Sequence, residues 1–316
     1  MYLAHVGVVG GGPWGLSLAA AAARAGTKAL IQSRRDLSSA LPAGVEQVAN
    51  MEELAQRARL LVLAVPSETA AEVARQLGDH VDGRHLVVHA IRGLAGESLE
   101  PISRVVRRET PARRIGALSG PAMAEELRDG KPCALICGSQ YPEVNAALLA
   151  AFASPSLRIY ETGDLIGLEW ASALVGCLAI GVGYAQAVGV SAGLVATFIS
   201  RSVEEASRIA AAAGGQERTL LGLAGYGDLL ASVAQEARPE VVVGRAFARG
   251  LSVEQATAEA KLRVEAIELI PRIMQWATTR GVRIPIFKGL AKGMLAGRTA
   301  EDLVRELMAQ PVQKLS

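Results

Sequence analysis

Residues 6–15 run an apolar strand pattern, Val-Gly-Val-Val, into Gly10-x-Gly12-x-x-Gly15, and an alanine-rich helical segment, Leu16 to Ala25, follows at once. This feature constrains the fold more than any other. A strand that turns through glycines into a helix leaves the first helical N–H groups and the positive end of the helix dipole facing whatever lies beyond the loop, an arrangement suited to a pyrophosphate. Gly10 then permits the tight turn, Gly12 lets phosphates approach the backbone, and Gly15 lets the helix pack closely on the strand. A glycine triplet alone is weak. The apolar strand before it and the helix after it supply the context that a dinucleotide site requires.

Beyond that unit, short apolar runs alternate with longer periodic ones. Lys28–Gln32, Leu60–Val65, His85–Ile91, Arg114–Leu118 and Ala134–Cys137 read as strands, and Glu68–Leu77 and Pro142–Phe152 as helices. From about Gly163 the pattern turns helical: Asp164–Val188, Leu194–Ala213, Ser252–Ala258, Ile267–Arg280 and Ala300–Met308 carry helical spacing. Turn signals stand at Gly214-Gly215, Gly225-Tyr226-Gly227 and Arg280-Gly281. The expected fold class is therefore α/β, a Rossmann-like doubly wound parallel sheet over 1–162 followed by an all-helical domain over 163–316. The substrate is expected in the cleft between them.

Charge and cysteine content narrow the partners. With 33 Lys+Arg against 31 Asp+Glu and 4% aromatic residues, the chain lacks the basic, aromatic-laced surface of a nucleic-acid binder. Cys133, Cys137 and Cys177 fit a reducing compartment, and Cys133 and Cys137 lie in an apolar run as small hydrophobes, so no metal site is expected. No basic region precedes the first apolar run, which is the phosphate-loop strand itself, and a cytoplasmic protein is expected. Trp170–Ser200 contains no charged side chain, longer than the roughly 20 residues of a membrane span. Its Ala, Gly, Ser and Gln content reads instead as helix buried among other helices, with no membrane insertion.

Coenzyme choice turns on the tip of the second strand. An Asp or Glu there holds ribose hydroxyls, whereas arginine accommodates a 2′-phosphate. This chain has Gln32-Ser33-Arg34-Arg35. Arg34 and Arg35 therefore point to NADP, with NAD retained as the alternative and a solvated loop pair as the bland reading.

Several segments together resemble the NAD(P)-dependent glycerol-3-phosphate dehydrogenase family over nearly the whole chain. They are Gly10–Gly15 with its internal Trp14, Ala64-Val65-Pro66-Ser67, the segment from Ser119 to Glu126, Asp164–Glu169, the loop from Gly222 to Leu229, and Val264-Glu265 followed by Pro285-Ile286. The resemblance implies reduction of dihydroxyacetone phosphate with a nicotinamide coenzyme, a small-molecule substrate and a homodimer. It places Pro66, Ala124 and Glu265 beside Gly10, Gly12, Trp14 and Gly15 at the dinucleotide.

The substrate side departs from the family. Its Lys-Asn pair on the long helix matches Val175 and Gly176 here, its second lysine matches Arg92 in Ile91-Arg92-Gly93, and its Arg-Asn phosphate clamp aligns without gaps to Pro239 and Glu240. Valine cannot donate a proton, arginine stays protonated near neutral pH but still stabilises an oxyanion, and glutamate repels a phosphate. Asp228 matches the loop aspartate that orients the family's lysine, with helix capping as the bland alternative; Ser232 stands where threonine is usual. Arg238, one residue before the expected clamp, reads as a solvated charge, with anion binding as the alternative if the loop carries a small insertion, and His89 reads as a core histidine, with a replacement acid as the alternative. Asp228, Arg92 and Ser232 are the remaining catalytic candidates. Two functions stay open: an NAD(P)-dependent oxidoreductase with weak or altered activity, and an inactive dinucleotide-binding sensor or interaction protein.

Overall fold

The computed structural model describes residues 5–295. Strands β1 (His5–Val9), β2 (Lys28–Gln32), β3 (Val45–Val48), β4 (Leu60–Leu63), β5 (Leu86–His89), β6 (Arg114–Ser119), β7 (Cys133–Gly138) and β8 (Leu157–Thr162) form one sheet in the order β3-β2-β1-β4-β5-β6-β7-β8. Neighbours pair in parallel except β6 and β7, which run antiparallel. The strand order reverses between β1 and β4, and a doubly wound sheet opens its ligand crevice beyond the carboxyl ends of the strands at such a point. The glycine loop leaves β1 there.

Helices cover both faces, which explains why the strands read as continuous apolar runs. Val6, Val8, Leu60, Val62, Leu86 and Val88 share a core with side chains of α1 (Pro13–Arg24) and α6 (Pro142–Phe152). Val9, Leu61, Leu63 and Val87 point the other way, into a core with α2 (Met51–Arg57), α3 (Ala70–Gly78) and α4 (Ile102–Glu109). β3 and β8 escape the sequence pattern because they are edge strands with polar residues interleaved, Val-Glu-Gln-Val and Leu-Arg-Ile-Tyr-Glu-Thr. The short α5 (Ala124–Asp129) packs on α1.

After β8 the described chain is helical: α7 (Leu165–Ala187), α8 (Ala192–Ala212), α9 (Glu217–Leu221), α10 (Asp228–Ala231), α11 (Pro239–Ala248), α12 (Val253–Ala260), α13 (Ala266–Thr279) and α14 (Pro285–Leu295). Ala300–Met308 lies outside the described residues. The uncharged Trp170–Ser200 run spans two helices, as the separate Asp164–Val188 and Leu194–Ala213 patterns imply, and they part at Gly189, whose φ of 71° suits glycine. The expected turn at Gly225-Tyr226-Gly227 is a π-helical turn, 223–227, that runs directly into α10.

α7 is long and apolar enough to span a membrane by length and composition, but 94% of its most apolar window is buried inside the protein. Asp164 caps it, accepting from Gly167 N at 3.0 Å, and its other oxygen takes Gln216 N at 2.9 Å and Thr219 Oγ1 at 2.6 Å, which pins α9 to the same end. Trp170 stacks on Trp276 of α13 with centroids 4.8 Å apart. Against α11 the helix packs at backbone distance. A Cβ on Gly183 would fall on the Val241 carbonyl, and one on Gly244 on the Ile180 carbonyl. This close approach sets the start of α11 beside the middle of α7.

Glu205 of α8 is fully buried and accepts from Ile286 N at 2.9 Å and Phe287 N at 2.8 Å, capping the start of α14. Burial outweighs those two donors and pushes its carboxyl up to about 7. A folded value raised above the unfolded one gives stability that is whole at pH below about 4.5 and is lost as pH rises through about 7. Glu205→Gln keeps an acceptor but removes the titration. The stability difference between wild type and this variant, from urea melts, should therefore shift against wild type by about 3 kcal/mol between pH 4 and pH 8. A difference independent of pH would contradict the assignment.

Candidate active site

The glycine loop has the geometry its spacing implies. Gly10 adopts φ 121°, and a Cβ there would fall on the Ala64 carbonyl oxygen, while one on Gly15 would fall on the Gly10 carbonyl. A Cβ on Gly12 would meet nothing within 4 Å. That open side of Gly12 is where phosphates can come against the backbone. α1 starts with Gly12 as N-cap and Pro13 at the first position, and no side chain caps it, so its first-turn N–H groups remain free for an anion. The Trp14 indole N–H donates to the Ala90 carbonyl at 2.9 Å, tying the loop to the end of β5.

Beyond β2, Arg35 Nη2 donates to the Gly11 carbonyl at 3.0 Å, and Gln47 braces the loop by donating to the Arg35 carbonyl at 2.8 Å and accepting from Leu37 N at 2.9 Å. Arg34 is exposed and forms no hydrogen bond or ion pair among the described residues. Pro66 leads into a single helical turn at 67–69, and Ser67 N donates to Glu265 Oε1 at 2.9 Å, a contact between the sheet and the start of α13. Glu265 Oε2 is buried without a partner among the described residues and presses against Gly93 so closely that a Cβ there would collide with it. Burial raises the Glu265 carboxyl above the ordinary range. Ala124 is the first residue of α5, whose start is fixed by Met123 N donating to Glu126 Oε2 at 2.8 Å. An uncapped helix start, open space beside Gly12 and an orphaned acceptor on Glu265 fit a dinucleotide.

On the opposite side lies a cluster of four charges. Asp228, fully buried at the start of α10, accepts from Arg92 Nη1 at 3.0 Å through Oδ2 and from Arg238 Nη1 at 2.8 Å through Oδ1. Arg92 Nη2 also reaches the Gly120 carbonyl at 3.3 Å. Arg238 Nη1 donates to the Asp228 carbonyl at 3.1 Å and to Gln235 Oε1 at 3.3 Å, and its Nε to Glu240 Oε2 at 3.3 Å. Gln235 in turn donates to the Pro121 carbonyl at 2.7 Å. Across from the cluster stands Gly176. A Cβ there would lie 3.4 Å from Arg92 Cδ and 3.5 Å from Glu240 Oε1. Val175 is buried at 1% exposure.

Arg238 is not the solvated charge that its sequence position suggests. It is 3% exposed, and the Coulombic pull of Asp228 and Glu240 raises its pKa against desolvation. No local signal announces this, because its partner is ten residues away across a helical turn. Asp228 is an ion-pair centre rather than a helix cap, and two arginines take the place of the expected lysine. The fully buried Ser232 hydroxyl donates to the Leu229 carbonyl at 2.6 Å, inside its own turn. His89 bonds Glu169 Oε1 through Nε2 at 3.0 Å, while its Nδ1 is buried without a partner among the described residues. Ser103 completes that cluster by giving Glu169 its backbone N–H at 2.7 Å and its hydroxyl at 2.6 Å.

Removing one partner of a buried pair strands the other, at a cost of about 3–5 kcal/mol. Arg238→Met should therefore lower unfolding free energy by about 3 kcal/mol in urea titrations. A loss below about 1 kcal/mol would mean that Arg92 alone satisfies Asp228.

The N-terminal profile of NAD-dependent glycerol-3-phosphate dehydrogenases matches residues 5–145, and the C-terminal profile of the same family matches residues 164–305. A glycerol-3-phosphate dehydrogenase [NAD(P)+] of Caulobacter vibrioides is 31% identical over 330 residues, covering 99% of each chain. One from Fusobacterium nucleatum is 27% identical over 97% of each. Among solved structures, the glycerol-3-phosphate dehydrogenase of Coxiella burnetii superposes with a TM-score of 0.90 at 22% identity, covering 98% of this chain and 99% of that one. The enzyme of Saccharomyces cerevisiae gives 0.84 at 18%, covering 97% and 99%. Two adjoining family profiles and a full-length relative carry one conclusion: this chain belongs to the NAD-dependent glycerol-3-phosphate dehydrogenase family.

Proposed function

We propose that this chain is an NAD(P)-dependent oxidoreductase acting on a CH–OH donor or its carbonyl product, with a substrate site altered from that of its relatives. The observation that carries it is the pairing of an intact coenzyme cradle with the charge cluster across the cleft. Residues 1–162 form the dinucleotide-binding domain and 163–316 the substrate and dimerisation domain. Gly10, Gly12, Trp14, Gly15, Pro66, Ala124 and Glu265 hold the coenzyme, which supplies a hydride at its nicotinamide ring.

Arg92 is the partly exposed cation of the cluster, with 31% of its side chain open. It stabilises developing charge on a substrate oxygen, and Asp228 orients it. Ser232 acts through the α10 turn that its hydroxyl closes. With Val175 in place of an acid, turnover of dihydroxyacetone phosphate should fall by ~10²–10⁴ relative to an enzyme that has a positioned donor. NADPH oxidation in the presence of this ketone tests that, and a rate equal to that of the relatives would refute the altered site. Tight NADPH binding with no turnover of any carbonyl would instead favour a dinucleotide-binding sensor, the reading to which the buried Val175 lends weight.

Arg34 is the free cation at the ribose end, so the preferred coenzyme is NADP rather than NAD. Calorimetry should give NADPH the lower Kd, and Arg34→Ala should raise that Kd about tenfold while leaving NADH unchanged. Equal binding of both coenzymes by wild type would remove the idea. The protein works in the cytoplasm as a homodimer, and exposed Leu221, Tyr226 and Leu230 give its helical part apolar surface for such a contact.

A further inference from the structure

The four charges of the cleft cancel, and each is already paired. Asp228 is held by Arg92 and Arg238, and Glu240 by Arg238. A phosphate dianion would find no unclaimed cation there. To take one, it must pull Arg238 from buried Asp228, which costs about as much as a good ion pair returns. Two groups of the same ion pair nevertheless have capacity left. Glu240 Oε1 accepts no hydrogen bond among the described residues and stands beside Gly176, and the Glu240 side chain is 13% exposed. Arg238 Nη2 is a buried donor with no acceptor among the described residues, and Arg238 itself is 3% exposed.

The leftover acceptor and the leftover donor together specify a chemistry. A phosphate or carboxylate satisfies the donor only and faces the Glu240 charge. An ammonium satisfies the acceptor only and faces Arg238. A hydroxyl gives a proton to Glu240 and accepts one from Arg238. Gly176 presents no side chain there, and a Cβ at that position would sit at ordinary contact distance from Arg92 and Glu240.

We infer that Glu240 and Arg238 form a subsite for the hydroxyl end of a neutral, unphosphorylated hydroxy-ketone or polyol, with its carbonyl or alcohol carbon beside Arg92. This deepens the proposed oxidoreductase reading and rests on it for the reacting end of the substrate. Glu240 is thereby a specificity-determining residue that excludes phosphate.

The test is calorimetric binding to NADPH-loaded protein, using dihydroxyacetone, its phosphate, and hydroxyacetone, which lacks the second hydroxyl. Wild type should bind dihydroxyacetone at least tenfold more tightly than either of the others. Glu240→Gln, which keeps the shape but not the charge, should gain at least tenfold for the phosphate. Gly176→Ala, which fills the space before Oε1, should lose dihydroxyacetone while melting at the wild-type temperature. The inference is overturned if wild type prefers the phosphate, if hydroxyacetone binds as well as dihydroxyacetone, or if Glu240→Gln leaves the order unchanged. Failure of NADPH to bind would sink the oxidoreductase reading by itself. The subsite is then judged on coenzyme-free protein with inorganic phosphate, which should bind Glu240→Gln and not wild type, and equal binding to both would overturn it.

Discussion

The buried carboxylate of Asp228 is the constraint around which the cleft is arranged. A charge with no exposure must be compensated where it stands, because an isolated carboxylate in a protein interior costs several kcal/mol. Here one guanidinium comes from the end of β5 and the other from the start of α11. The residue therefore does more than balance charge. It fixes the helical half of the molecule to the sheet, and it holds the partly exposed guanidinium of Arg92 in place.

Two other carboxylates repeat this solution along the same seam. Glu265, at the start of α13, takes the Ser67 N–H beyond β4, and Glu169 of α7 takes His89 of β5 and Ser103 of α4. Each spans the two halves and is buried or nearly so, so both halves must be in register before any of the three is satisfied. A cleft built this way is positioned by hydrogen-bonded charge rather than by apolar contact alone, which makes its geometry specific at some cost in stability. The backbone contacts of Gly183 with Val241 and of Gly244 with Ile180 supply the stiffness, since neither helix can slide without a carbonyl collision.

The fold was largely legible because its signals are local. A strand-glycine-helix unit, buried strands with both faces covered, and an N-cap such as Asp164 declare themselves within a few residues. The edge strands β3 and β8 did not, since their polar alternation is short and ambiguous. In the site, the geometry of the glycine loop was readable for the same reason. The substrate half was not, because what matters there is which distant charges meet. Arg238 looked like a surface arginine until the π-helical turn at 223–227 placed Asp228 against it.

That meeting also explains why the apolar middle of α7 is tolerable. Val175 gives Asp228 no partner, and Asp228 stands in a region closed to water. From the α11 side an arginine supplies that partner. Its Nη1 bonds the Asp228 side chain, the Asp228 carbonyl and Gln235, and its Nε bonds Glu240. The Nη1 and Nε donors of the guanidinium are thereby committed within the protein, and Glu240, which shares it, brings a negative charge to the cleft. The partner that Asp228 needs and the charge of the cleft are thereby linked, because a single buried cation cannot serve both Asp228 and an incoming phosphate.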